Sequence, residues 1–172
     1  MTFSAASVSE LTKRVGIWEA RQFRHDGSPP SLAVDVLIIV EELGELTRCI
    51  NKRDAGIRGD SDHWGRELRK ELGDVVIALL GLSANFSIEF TPDLRKEDLE
   101  PSDLALVLSA YVGSMSEATL RSDRAALAEA AQGAFSACEL LARAEELDLE
   151  CVVRERWETV EARVFHVSSG DD

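Results

Sequence analysis

Several things are scarce in this chain, and each shortage removes a class of protein. Aromatic residues make up only 6% of the 172 positions, and the prolines are just Pro29, Pro30, Pro92 and Pro101, all where a helical pattern breaks. No apolar run approaches the roughly 18 residues that a membrane-spanning helix needs, and no basic stretch leading into an apolar one marks a signal peptide. Cys49, Cys138 and Cys151 are odd in number and lack CxxC or Cys/His spacing. They read as buried free thiols of a cytoplasmic protein. Cations are outnumbered, 19 Lys and Arg against 32 Asp and Glu, for a formal charge of −13. That balance excludes wrapping nucleic acid, because such binding rests on phosphate neutralisation by Lys and Arg. A small nucleotide that brings its own metal ions stays compatible.

What the chain has in quantity is Leu, Ala and Val at helical spacing. The pattern predicts one all-α domain over 1–172, a bundle of about six helices near 7–24, 31–54, 62–88, 104–120, 124–147 and 149–167. Leu11, Val15, Trp18 and Phe23 mark the inner side of the first helix. Ser31 is the expected N-cap of the second. Val36 to Val40 would suit a strand alone, but Leu43, Leu46 and Ile50 continue it at helical spacing. The later helices lay over the earlier ones as a faded copy, 102–167 on 7–90. Val112 to Thr119 falls on Val40 to Thr47, and Ala130 to Gly133 on Glu71 to Asp74. Internal duplication and shared helix composition both account for this.

Two acidic signatures stand out against that apolar background. Glu41-Glu42-Leu43-Gly44-Glu45 follows the run Val36 to Val40, and Glu71-Leu72-Gly73-Asp74 leads into Val75 to Leu80. At 3.6 residues per turn, Glu42 shares a face with Glu45, and Glu71 with Asp74. In an acidic helical protein such pairs are usually a solvated face. Here they interrupt apolar helices, and Gly44 and Gly73 stand in corresponding places. Glycine costs about 1 kcal/mol in a helix interior, so both glycines predict close helix approach beside the acids. Four carboxylates in such a setting repel one another unless a divalent cation such as Mg²⁺ sits among them.

Glu-Glu-x-x-Glu, a spacer, then Glu-x-x-Asp resembles the signature of the all-α nucleoside triphosphate pyrophosphohydrolases. These include MazG-like proteins, dimeric-type dUTPases and dCTPases, and phosphoribosyl-ATP pyrophosphohydrolase. The likeness runs on through Leu72-Gly73-Asp74-Val75-Val76. It resumes over Leu147 to Glu150 and Trp157 to Arg163, similar to the family's terminal helix. In short members that helix follows the second signature much sooner, so the region between is an insertion or the duplication described above.

The resemblance implies a MazG-like bundle and an enzyme that splits a nucleoside triphosphate into monophosphate and pyrophosphate. It implies Mg²⁺, with Mn²⁺ as a substitute, on Glu42, Glu45, Glu71 and Asp74, and Glu41 beside them to orient or deprotonate water. Lys52, Arg53, Lys70 and Arg163 are the candidate phosphate contacts, each more readily read as a solvated charge. Trp18 and Gln22, spaced i,i+4, are candidates for the base pocket, with Trp18 in the core and Gln22 exposed as the plain alternative. Trp64 and Trp157 read as packing residues. The expected assembly is a homodimer or a pseudo-dimeric monomer. A non-enzymatic helical interaction protein is the competing class. A di-iron bundle is disfavoured because no Glu-x-x-His pair occurs among His25, His63 and His166.

Overall fold

Apolar residues recurring every three to four positions give six helices and, among the described residues, no strand. A computed structural model describes residues 3–22, 30–57, 61–92 and 99–163. The helices are α1 (Ala5–Gln22), α2 (Leu32–Asp54), α3 (Ser61–Phe86), α4 (Pro101–Arg121), α5 (Arg124–Ala144) and α6 (Leu149–Glu161). None is long and apolar enough to cross a membrane.

Local chemistry sets the helix ends. Ser31 caps α2, its hydroxyl accepting from the Val34 N–H, as its place before the apolar run predicts. Asp123 and Asp148 cap α5 and α6 in the same way. The fourth helix starts at Pro101 rather than Leu104, since proline suits a first turn whose N–H needs no partner. The third and fifth stop at Phe86 and Ala144, short of Ile88 and Leu147. Past these ends the backbone turns left-handed, at Ser87 and Glu146 with φ +55° each. Phe23, His25 and residues 164–167 lie outside the described residues.

α3 is the hub, packing on α1, α2, α5 and α6. It is buried nearly all round, from Leu68 through Leu72, Val75, Val76 and Leu79 to Leu82. The α2–α3 and α4–α5 pairs form helical hairpins, with α2 also against α4 and α3 against α5. α1 crosses α3 where Gly16 meets Ala84, at a separation that leaves an added Cβ only 2.8 Å from the Ala84 Cβ. Phe90 stacks on Phe135 at 4.8 Å, and Phe3 stacks on the same ring at 6.0 Å.

Trp157 is buried and Trp64 is half-buried against the core, both packing residues as expected. Of the cysteines, Cys49 and Cys138 are buried, but Cys151 is exposed. It lies off the buried stripe of α6, formed by Leu149, Val152, Val153, Trp157 and Val160, and its thiol bonds Glu155 at 3.2 Å. The glycines part company too. Gly73 lies under α6, where an added Cβ would stand 2.8 Å from the Arg156 Cβ. Gly44 meets nothing within 4 Å, because α2 turns that side to solvent, so close approach holds for one of the two.

Candidate metal centre

α2 and α3 lie side by side, and the i,i+3 spacing sets the phase of each acid. Glu42 stands at the edge of the buried stripe of α2, facing α3. Glu71 and Asp74 project back from successive turns of α3. Glu42, Glu71 and Asp74 each offer an oxygen, and the three oxygens lie within 4.8 Å of one another.

Burial makes this cluster costly. Glu71 is only 3% exposed, and one of its oxygens, Oε2, is buried without a hydrogen-bond partner. A carboxylate oxygen in that state forfeits its hydration. The Glu42 carboxyl is pushed up to about 7, first by burial and then by the charges of Asp74, Glu71, Glu41 and Glu45. Hard oxygen donors, three converging carboxylates and an orphaned buried oxygen together fit a divalent cation.

Two cations already balance part of the charge. The guanidinium of Arg156 on α6 donates to both Asp74 oxygens, at 2.6 and 2.8 Å. Such a two-pronged bond is the strong form of the Arg–carboxylate pair. Lys70 donates to Glu71 Oε1 at 2.7 Å. Burial disfavours the Lys70 ammonium, yet the Glu71 hydrogen bond and the charges of Glu71 and Asp74 outweigh it and raise its pKa. Arg66, Arg69, Lys70 and Arg156 line a cleft of about 300 Å³ between α3 and α6, next to the acids. Glu155 lines the same cleft and pairs with Arg69 at 2.8 Å, so four cations face one acid there, in a chain of charge −13.

The other candidates divide clearly. Glu45, one turn beyond Glu42, stays outside the three-acid cluster and lies 3.7 Å from Arg48. Glu41 is exposed on the outer face of α2. Trp18 is half-buried, its ring edge-on to Trp157 at 5.9 Å, which places it between the core and the first-helix surface. Gln22 closes α1 and is half-buried rather than exposed.

Lys52 and Arg53 sit about three turns past Glu42 and so away from the cluster. Lys52 lines a shallow groove that also includes Ser109 of α4. Arg53 is held by Glu145 at 2.5 Å and by Asp54 at 3.0 Å. Arg163 is exposed just past the end of α6. Lys70 is thus the one proposed cation that touches the acids.

Arg156 is the cation that sequence reasoning missed. A faint signal for it existed: Arg156 falls four residues after Val152 and four before Val160, at the rim of the buried stripe of α6. Arg154, by contrast, points to Glu10 and Glu150.

A roomier cleft of about 880 Å³ lies between α1 and residues 83–92 and contains none of the three acids. Comparison with family models, curated proteins and solved structures gives no match to this chain.

Proposed function

We propose that the protein is a Mg²⁺-dependent nucleoside triphosphate pyrophosphohydrolase of the cytoplasm, working as a homodimer or as a pseudo-dimeric monomer. The observation that carries this reading is the convergence of Glu42, Glu71 and Asp74 beside a cationic cleft. The resemblance of the two acidic signatures to the all-α pyrophosphohydrolases gives it a chemistry.

Glu42, Glu71 and Asp74 would hold the cation, with Glu45 on the next turn of α2 as the fourth ligand the resemblance implies. The bound ion supplies charge neutralisation for the triphosphate and activates water at neutral pH. The remaining work falls to the chain itself. Lys70 and Arg156 hold the acids' charge before the ion enters. With an ion balancing the acids, the two cations, with Arg66, would be free to attract phosphate oxygens into the α3–α6 cleft, while Arg69 is held by Glu155 at 2.8 Å. Gly73 brings α6 close enough for Arg156 to serve both Asp74 and the cleft. Glu41, the exposed neighbour of Glu42 in sequence, would take the proton from that water at the solvent edge of the site. Trp18 and Gln22 close the nucleoside end.

A binding role is the second reading, and one observation favours it. Val34, Leu37, Ile38 and Val40 are large apolar residues left exposed on α2, beside Glu41. Such a ridge suits a macromolecular partner.

The deciding experiment incubates the protein with Mg²⁺ and a panel of ribo- and deoxyribonucleoside triphosphates, reading monophosphate and pyrophosphate. Equal release of the two from at least one nucleotide, lost in Glu71→Gln, supports the enzyme. Absence of hydrolysis across the panel, with Mg²⁺ still bound, gives the α2 ridge and the binding role precedence.

A further inference from the structure

Most cations of the α3–α6 cleft are already engaged by carboxylates. Arg69 pairs with Glu155 at 2.8 Å, Lys70 with Glu71 at 2.7 Å and Arg156 with Asp74 at 2.6 Å, while Arg66 is exposed. The cleft thus holds four positive groups yet offers little net attraction to an anion. The acids show the converse. Asp74 has both oxygens on the Arg156 guanidinium, and Glu71 has Oε1 on the Lys70 ammonium. Two of the three converging carboxylates therefore carry a counter-charge, while Glu71 Oε2 stays buried and unpartnered.

Either ligand alone meets a penalty on the other side. An anion in the cleft must draw Arg156 and Lys70 off Asp74 and Glu71, whose side chains are only 11% and 4% exposed. That leaves buried charge uncompensated, which is strongly destabilising. For the acids to take a cation, the same two groups must give up their hold and crowd into the cleft beside Arg66, where like charges repel. With both ligands present the two penalties cancel. The exchange needs little movement, because Arg156 bonds Asp74 and lines the cleft at once. Its stem rests on Gly73, where an added Cβ would lie 2.8 Å from the Arg156 Cβ and 3.0 Å from its Cγ. The torsions beyond Cγ are left to carry the guanidinium from one side to the other.

We propose that Arg156, supported by Lys70, is an exchangeable counter-ion that makes the divalent cation and a phosphate-type anion bind cooperatively. Without an anion, Arg156 competes for Asp74 and the cation is held weakly. An anion in the α3–α6 cleft draws that competitor away, and by linkage the cation strengthens the anion by the same factor. The site thereby selects a cation that arrives with a polyphosphate over either ion alone. The proposal rests on the cation reading of Glu42, Glu71 and Asp74. It does not depend on the nucleotide reading, because its test uses no substrate.

The test follows Mn²⁺ binding to the full chain through the electron-spin signal of the free ion, in sulfate and in chloride at equal ionic strength. Pairing of sulfate with free Mn²⁺ works against the expected change. Wild type should bind Mn²⁺ at least about fivefold more tightly in sulfate. Arg156→Gln removes the competitor and leaves α6 seated. Its Mn²⁺ affinity in chloride should exceed that of wild type by about fivefold or more, and the sulfate effect should vanish. Because loss of a buried pair can unfold the metal-free chain, Lys70→Gln runs beside it. The Lys70 side chain is 40% exposed, and its removal should give the same two changes at smaller size. Glu71→Gln is the control and should lose the Mn²⁺. Binding that ignores Glu71→Gln overturns the cation reading, and the exchange with it. With that control intact, the exchange alone is overturned by any of three results: no sulfate effect in wild type, an undiminished sulfate effect in the variants, or Mn²⁺ binding that is unchanged or weaker in chloride once these cations are removed.

Discussion

The α2–α3 and α4–α5 hairpins each bury an apolar stripe and differ in what lies between their helices. Between α2 and α3 lie three carboxylates, one with an orphaned oxygen, steadied by Lys70 and Arg156. At the corresponding positions of α4 and α5 lie a serine, an alanine and a glycine under a tyrosine ring. At these positions the second arrangement leaves no carboxylate to desolvate, and the buried acid of that half, Glu139, stands elsewhere on α5. The first, three carboxylates brought together, costs stability that packing does not require.

The largest expected effect separates the two hairpins by chemistry. Glu71→Gln or Asp74→Asn should lower pyrophosphate release by about 100-fold or more, because each removes a charged donor from the cation. Glu117→Gln, at the place in α4 that matches Glu45, should leave the rate unchanged. A comparable loss from Glu117→Gln would break the comparison.

Next comes the packing of α6 on the acidic half. Trp157 is fully buried beneath Trp18, and Trp157→Ala should cost about 3–5 kcal/mol in denaturant unfolding. Loss of that support should also weaken the hold of Arg156 on Asp74. Gly73→Ala brings a methyl against Arg156 and should displace α6, lowering Tm and metal affinity together. Stability lost with metal affinity intact would show that α6 is structural alone.

A smaller effect follows from pH. The Glu42 carboxyl is raised to about 7 from an ordinary 4.5, so between these values the folded state holds a proton that the unfolded state has released. Its stability contribution is complete below pH 4.5 and is lost as pH rises through 7. Metal-free protein should therefore lose about 1–2 kcal/mol from this residue between pH 5.5 and 8, after discounting for solvent screening at a partly exposed group. Glu42→Gln should flatten that segment of the profile, and added Mg²⁺ should reverse it. Ser114, at the matching place in α4, has no carboxyl proton to release and contributes no such slope.

The smallest effect lies in the caps. Asp123 accepts from the Ala125 and Ala126 N–H groups at 3.1 and 3.0 Å, while Ser31 accepts from Val34 at 3.4 Å. Asp123→Ala should cost about 1 kcal/mol and Ser31→Ala less. The reverse order would show that cap geometry is a poor guide here.

Helix order, the Ser31 cap and the shared faces of the acids were legible because each depends on neighbours within a turn or two. Periodicity placed Glu42 toward Glu71 and Asp74 without any knowledge of α6. What it could not carry is tertiary. Arg156 meets Asp74 only because Gly73 lets α6 approach, and two residues of α6 with the same charge, Arg154 and Arg156, go to opposite sides. Gly44 looked equivalent to Gly73 because glycine reports the absence of a side chain, not the presence of a neighbour. Glu45 shares its helix face with Glu42 but sits farther round toward solvent, where Arg48 is nearer. Lys52 and Arg53 followed the first signature in sequence, yet rise along α2 carries them about three turns from it. Cys151 shows the same limit, since helical spacing gave it a helix and the phase of α6 decided its exposure.

The central claim is that a divalent cation belongs among Glu42, Glu71 and Asp74. It is tested most directly by a crystal structure of the protein with Mn²⁺, examined for anomalous scattering. The account predicts an anomalous peak bonded to oxygens of all three residues, with Glu71 Oε2 partnered and the Arg156 guanidinium withdrawn from at least one Asp74 oxygen. A Mn²⁺-saturated crystal with no peak there, and with the Arg156–Asp74 pair intact, would contradict it.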